Sequence, residues 1–130
     1  MIYSRTITIP ANTTIELPLV SQIDVVEGVL KKIWVRWRWG PGNLCGAQIF
    51  RASAQLWPTT AREWFGSSEH ETVITEAYML DDEPLQFMVH SYNLDNTFKH
   101  SLWIGFEVLR PEYSAGVLEF LEFLAQGGGV

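Results

Sequence analysis

The chain has 130 residues, 47% hydrophobic and 18% charged, with nine basic and fifteen acidic side chains and a net charge of −6. One domain of this size buries a core without staples, and the composition excludes a disordered chain. The acidic balance disfavours bulk binding to phosphate backbones, the lone Cys45 excludes an internal disulfide, and no run of about 18 apolar residues exists to span a membrane as a helix.

Met1-Ile2-Tyr3-Ser4-Arg5-Thr6 lacks the charged leader and apolar run of a secretory signal, so synthesis in the cytoplasm is expected; export by lysis or as part of a particle would leave no signal to read. Tyr3, Arg5, Ile7 and Ile9 alternate with Ser4, Thr6 and Thr8, which predicts a strand, and Pro10-Ala11-Asn12 a turn. Ile15, Leu17 and Leu19 share the parity of a second strand, which Pro18 assigns to a sheet edge because it cannot donate to a ladder. Val29 to Trp39 is the longest predicted strand. Val29, Ile33, Val35, Trp37 and Trp39 take one parity, with Lys31 the odd member, and Lys32, Trp34, Arg36 and Arg38 take the other.

Gly40-Pro41-Gly42-Asn43 breaks that strand. Gly46–Ala52 and Ala54–Trp57 predict a strand bulged or broken near Ser53 and stopped by Pro58, and Thr60–Phe65 a single helical turn capped by Thr60. Thr72–Leu80 is another strand, followed by the acidic turn Asp81-Asp82-Glu83-Pro84. Leu85, Phe87, Val89 and Ser91 alternate with Gln86, Met88, His90 and Tyr92, and Asn93-Leu94-Asp95-Asn96 is a turn. Leu102, Ile104, Phe106 and Val108 form the inner face of the last long strand.

About seven or eight strands of this kind predict an all-β, antiparallel β-sandwich or jelly roll, with a closed barrel as the second choice. The sandwich domain is expected over residues 1–110 and a helical tail over 111–130. In the tail, Val117, Leu118, Phe120, Leu121, Phe123 and Leu124 surround most of a short helix, Glu119 and Glu122 mark a narrow polar side, and Gly127 ends it. So short a helix must dock on its own domain or on a neighbour, which makes those six residues a candidate interface.

No catalytic apparatus is expected. His70, His90 and His100 lack metal-ligand spacing, and in Glu69-His70-Glu71 the acids face away from the histidine on a strand. Cys45 needs a cationic or imidazole neighbour to act as a nucleophile, and a small buried cysteine is the commoner state. Asp81, Asp82 and Glu83 supply oxygens of the type that binds calcium, but as consecutive acids before a proline they suit a solvated turn. No cofactor or metal is expected, nor any phosphate-loop or dinucleotide fingerprint.

Two sets of side chains suggest binding. Lys32, Trp34, Arg36 and Arg38 place an indole among three cations on one strand face, suited to an acidic partner or a stacked ring; cross-strand pairing with Glu71 or Glu76 is the plainer reading. Trp57, Trp64 and Phe65, beside prolines and glycines, form a candidate aromatic platform for sugar or protein, or else plug one end of the sandwich.

Thr6-Ile7-Thr8-Ile9-Pro10-Ala11-Asn12-Thr13-Thr14, Gly28, Leu44-Cys45-Gly46, Trp57-Pro58-Thr59, Glu83-Pro84 and Asn93-Leu94-Asp95-Asn96 together resemble a loose group of small β-rich proteins of unknown function, some encoded near virion genes of tailed viruses. The resemblance covers residues 6 to about 108 and implies a capsid-associated or other virion structural role. The expected protein is thus an assembly subunit that self-associates or coats a particle (capsid, decoration or tail), with a non-catalytic carbohydrate- or protein-binding module as the alternative. Its partners would be copies of itself or other particle proteins, with no direct contact to nucleic acid.

Overall fold

Leu102, Ile104, Phe106 and Val108 are fully buried, while Trp103 and Glu107 between them are half-buried, so one face of this strand lines a core. The computed structural model of the protein describes residues 1–109. Among them are nine strands and no helix: β1 (Ile2–Ile9), β2 (Leu19–Asp24), β3 (Gly28–Trp37), β4 (Cys45–Arg51), β5 (Ala54–Trp57), β6 (Phe65–Gly66), β7 (Glu71–Leu80), β8 (Gln86–Asn93) and β9 (His100–Leu109). Two antiparallel sheets result. The first is ordered β1-β9-β3-β7, and the second β2-β8-β4-β5 with β6 also on β4. The tail expected over 111–130, with Val117 to Leu124, lies outside the described residues.

The sheets pack face to face as a sandwich rather than closing into a barrel. Across the gap Phe87 of β8 stacks on Phe106 of β9, ring centroids 4.5 Å apart. Ile7, Ile9, Ile33, Val35 and Trp37 from the first sheet, with Ala47, Ile49 and Val89 from the second, are buried around them. Each large apolar side chain removed from water here contributes about 1.5–3 kcal/mol before chain entropy is counted. At one end the chain start is tied down: the Met1 amino group donates to Val108 O at 3.0 Å, and Val108 N donates back to Met1 O at 2.8 Å.

The inward parity of β3 differs from the alternation in the sequence. Pairing with both β7 and β9 shifts register between Leu30 and Lys32. Lys31 falls at that break, so Leu30 rather than Val29 is buried before it, and Ile33, Val35 and Trp37 after it. The strand also ends at Trp37. Trp39, which shares the sequence parity of the buried Ile33, Val35 and Trp37, is therefore 85% exposed.

Two further local expectations are overturned, and a third is made specific. Ile15 and Leu17 are exposed and precede the strand, which begins at Leu19; Thr14 Oγ1 accepts the Leu17 N–H at 3.2 Å and holds the segment as a turn. Residues 60–65 make no helical turn. The Gln55 side chain organises them instead, its Oε1 accepting Arg62 N at 3.0 Å and its Nε2 donating to Pro58 O at 2.9 Å and Glu63 O at 3.2 Å. The break near Ser53 is a hairpin turn between β4 and β5, with Ala52 at φ 54°.

Candidate functional site

Alternation on four neighbouring strands gives the first sheet an outer face. Cross-strand partners share a face, so Trp34 stands beside Val73 of β7 and Gly105 of β9, and Arg36 beside Glu71 and Trp103. The missing side chain at Gly105 makes room for the neighbouring indole: a Cβ there would fall 2.7 Å from Trp103 Cη2. Trp34 and Trp103 consequently lie 6.3 Å apart, tilted by 49°. The Lys32 ammonium sits 5.8 Å from the Trp34 ring and the Arg36 guanidinium 5.1 Å from the Trp103 ring.

Three of the four residues singled out on this strand are thus gathered on one surface. Arg36 also pairs with Glu71 at 3.3 Å, a half-exposed ion pair worth at most about 1 kcal/mol. Glu76, the other acid considered as a partner, is turned to the opposite side, where it accepts the Trp57 indole N–H at 3.2 Å. The same outer face carries Val73 (48% exposed) and, beside Val29, Met79 (45% exposed). No other described element lies across it.

Arg38 lies beyond the end of β3 and joins a different feature. Trp39 stacks on His70, centroids 4.3 Å apart and planes within 8°. On one side of this stack, Thr6, Arg36, Trp37, Arg38, Trp39, His70 and Trp103 line an open groove of about 580 Å³. On the other, Arg38, Trp39, His70 and the 40–42 turn meet Ser67 and Ser68 in a second groove of about 300 Å³. The signal that places Trp39 at the strand's end is the Gly40-Pro41-Gly42 breaker that follows.

Trp57, Trp64 and Phe65 do not make one platform. Trp57 is 3% exposed and packs edge-on against Tyr78 at 5.5 Å and near Phe87 at 5.9 Å, so it belongs to the core. Trp64 sits edge-on to Tyr92 at 4.8 Å, on the outer side of the second sheet, and Phe65 is in β6 opposite Ala47. Ile15, Phe50 and Trp64 border an open groove there.

Cys45 is fully buried and its thiol donates to Asn93 Oδ1 at 3.4 Å. Burial, then the nearby Asp95 charge, pushes the thiol up to about 11, so it is protonated at neutral pH and a poor nucleophile. Asn93 is a structural hub, donating to Ile9 O at 3.1 Å and Phe98 O at 2.9 Å while accepting Asp95 N at 3.0 Å. Asp95 in turn meets His100 Nε2 at 2.8 Å; that contact and the Thr97 and Phe98 N–H groups hold its carboxyl below the usual range.

The other histidines are apart. His90 stacks on Phe50 at 4.2 Å, and burial lowers its pKa. In the acidic turn, Arg51 anchors the backbone through Pro84 O at 2.9 Å and pairs with Asp82 at 3.2 Å. Among the described residues no three His, Cys, Asp or Glu side chains converge as a metal ion requires. No helix among them is long and apolar enough to cross a membrane. No protein-family model matches the chain, and no curated protein matches it.

Proposed function

We propose that the sandwich is a jelly roll and that the protein is a structural subunit, one that self-associates or coats a larger particle as a capsid, decoration or tail component of a virion. With β6 set aside, consecutive strands alternate between sheets except at the β4–β5 hairpin, and β1/β9, β2/β8, β3/β7 and β4/β5 pair as the chain folds back on itself. That order supports the jelly-roll reading. Such folds serve capsids, lectins and other binding proteins, so the surface must carry the functional argument.

The carrying observation is the outer face of the first sheet. Trp34 and Trp103, bordered by Lys32, Arg36 and the exposed Val73, present an aromatic centre with a cationic rim. Buried aromatics and arginines dominate protein interfaces, and this face offers both on a rigid sheet. The likeness in sequence to β-rich proteins encoded near virion genes supports the particle context.

The test is the solution mass of the full chain by light scattering, with negative-stain images of the same sample. A uniform assembly is the expected result. A monomer at every concentration would remove self-association from this reading.

A second reading, a non-catalytic binding module, is favoured by the Trp39–His70 stack with Arg36 and Arg38 in the adjoining groove. It requires a glycan or acidic peptide to shift tryptophan emission in the native chain and to lose that effect in Trp39→Ala.

A further inference from the structure

We infer that the free edge of β7 is the seam at which a second copy of this chain joins, β7 against β7, across a two-fold axis. The inference rests on the proposed assembly role and names its surface. β7 runs for ten residues, Glu71–Leu80, and is the edge strand of its sheet, with β3 on one side only. Among the described residues, no other segment's backbone hydrogen-bonds to it. Alternate N–H and C=O groups of an edge strand point out of the sheet and are a template for another strand.

The other edges are short or occupied. β5 has four residues, and Gln55 within it gathers the 58–63 loop beside it. β2 has six residues. β1 carries Arg5, whose guanidinium donates to Gln22 O of β2 at 2.9 Å. β7 has no lysine, arginine or proline to deter pairing, and Thr72, Val73, Ile74 and Thr75 are β-branched in succession.

Charge excludes some registers of such a pair and permits the one centred on Thr75. When two antiparallel copies are centred on Thr75, Val73 faces Ala77 of the second copy, Ile74 faces Glu76, Thr72 faces Tyr78 and Glu71 faces Met79. No acid then faces an acid. Centring on Glu76 would set two carboxylates opposite each other, and centring between Val73 and Ile74 would set Glu71 against Glu76; both cost energy. Each acid is already engaged within its own copy, Glu71 by Arg36 at 3.3 Å and Glu76 by the Trp57 N–H at 3.2 Å.

Pairing joins two four-stranded sheets into one continuous sheet, and the outward Val73 and Met79 become interior to its surface. The same patch meets itself, which closes the contact as a dimer.

The test uses the full chain. Thr75 is exposed, so Thr75→Lys places two cations together on the axis without touching the core. Light scattering should show the mass of the assembled species falling twofold. Thr75→Cys should form a disulfide-linked dimer under mild oxidation, whereas Val73→Cys, opposite Ala77, should not link to itself. Circular dichroism checks that each variant folds, and the Cys pair decides the matter should Thr75→Lys misfold. An assembly unchanged by Thr75→Lys and unlinked in Thr75→Cys would overturn the β7 seam and leave the assembly role standing. A native chain that is monomeric throughout would overturn the seam and remove self-association from the assembly role.

Discussion

Trp37 and Trp39 are two residues apart in the chain, yet Trp37 fills the sandwich interior while Trp39 lies outside it, stacked on His70 at 4.3 Å. The strand ends between them, and that ending separates a core residue from a surface one. Trp37→Ala should cost about 3–5 kcal/mol, the usual range for emptying a large aromatic site. Trp39→Ala should cost less than about 1 kcal/mol, since it loses one exposed stacked pair. Urea denaturation of the two variants measures the contrast; equal losses would contradict the placement.

Acid should destabilise the fold in two steps. His90 has a lowered folded pKa, so the unfolded chain takes its proton first; the stability it supports is complete above about 6.5 and falls as pH drops below that value. Asp95 has a depressed folded pKa, so its contribution is present above 3.8 and is lost as pH falls through the folded value. His90→Phe should flatten the upper part of the stability profile, and Asp95→Asn the lower part. Melting temperatures across pH 3 to 8 check both.

Cys45 should resist alkylation at neutral pH, because its thiol is both buried and raised to about 11. Labelling with iodoacetamide should follow unfolding, slowing in parallel with stability and becoming rapid in denaturant. Fast labelling of the native chain would require an open path to Sγ.

Ala52 holds φ 54° in the β4–β5 hairpin, a conformation that costs a side-chain-bearing residue about 1–2 kcal/mol. Ala52→Gly should remove that strain and lose part of the gain to unfolded-chain entropy, leaving a net stabilisation of about 0.5–1 kcal/mol. Differential scanning calorimetry should register a higher melting temperature.

Gly105→Ala tests the geometry of the outer face. The new methyl must displace the far end of the Trp103 ring, which can rotate, so the fold should survive while the Trp34–Trp103 pair is disturbed. Near-ultraviolet circular dichroism should change with little loss of far-ultraviolet signal.

The strands and their inward faces were legible wherever alternation ran unbroken. In β8 and β9, Phe87, Val89 and Ser91, then Leu102, Ile104, Phe106 and Val108, are buried as their spacing requires. Alternation breaks at Lys31, where a register shift transfers the core face from one parity to the other; a lysine on the apolar parity is its one trace in the sequence. Alternation also fails at Ile15 and Leu17, where a Thr14 side chain captures the backbone that a strand would have used. The cationic stripe was legible through Arg36, whose acid Glu71 lies across the ladder. The Trp39–His70 stack was not, because its partners are separated by 31 positions and meet only through the loops at one end.

The reciprocal pairing of Met1 with Val108 links positions 107 apart, and it has a kinetic meaning. β9 is the last described strand in the chain but stands between β1 and β3 in its sheet. On a ribosome, the second sheet can gather β2, β4, β5 and β8 while β1, β3 and β7 still lack the strand that unites β1 with β3. Closing a loop of nearly the whole chain length then becomes a late step, with the transient edges of β1 and β3 open to wrong partners until it is complete. Slow folding and a need for protection during synthesis follow from where β9 sits, independently of what the finished protein binds.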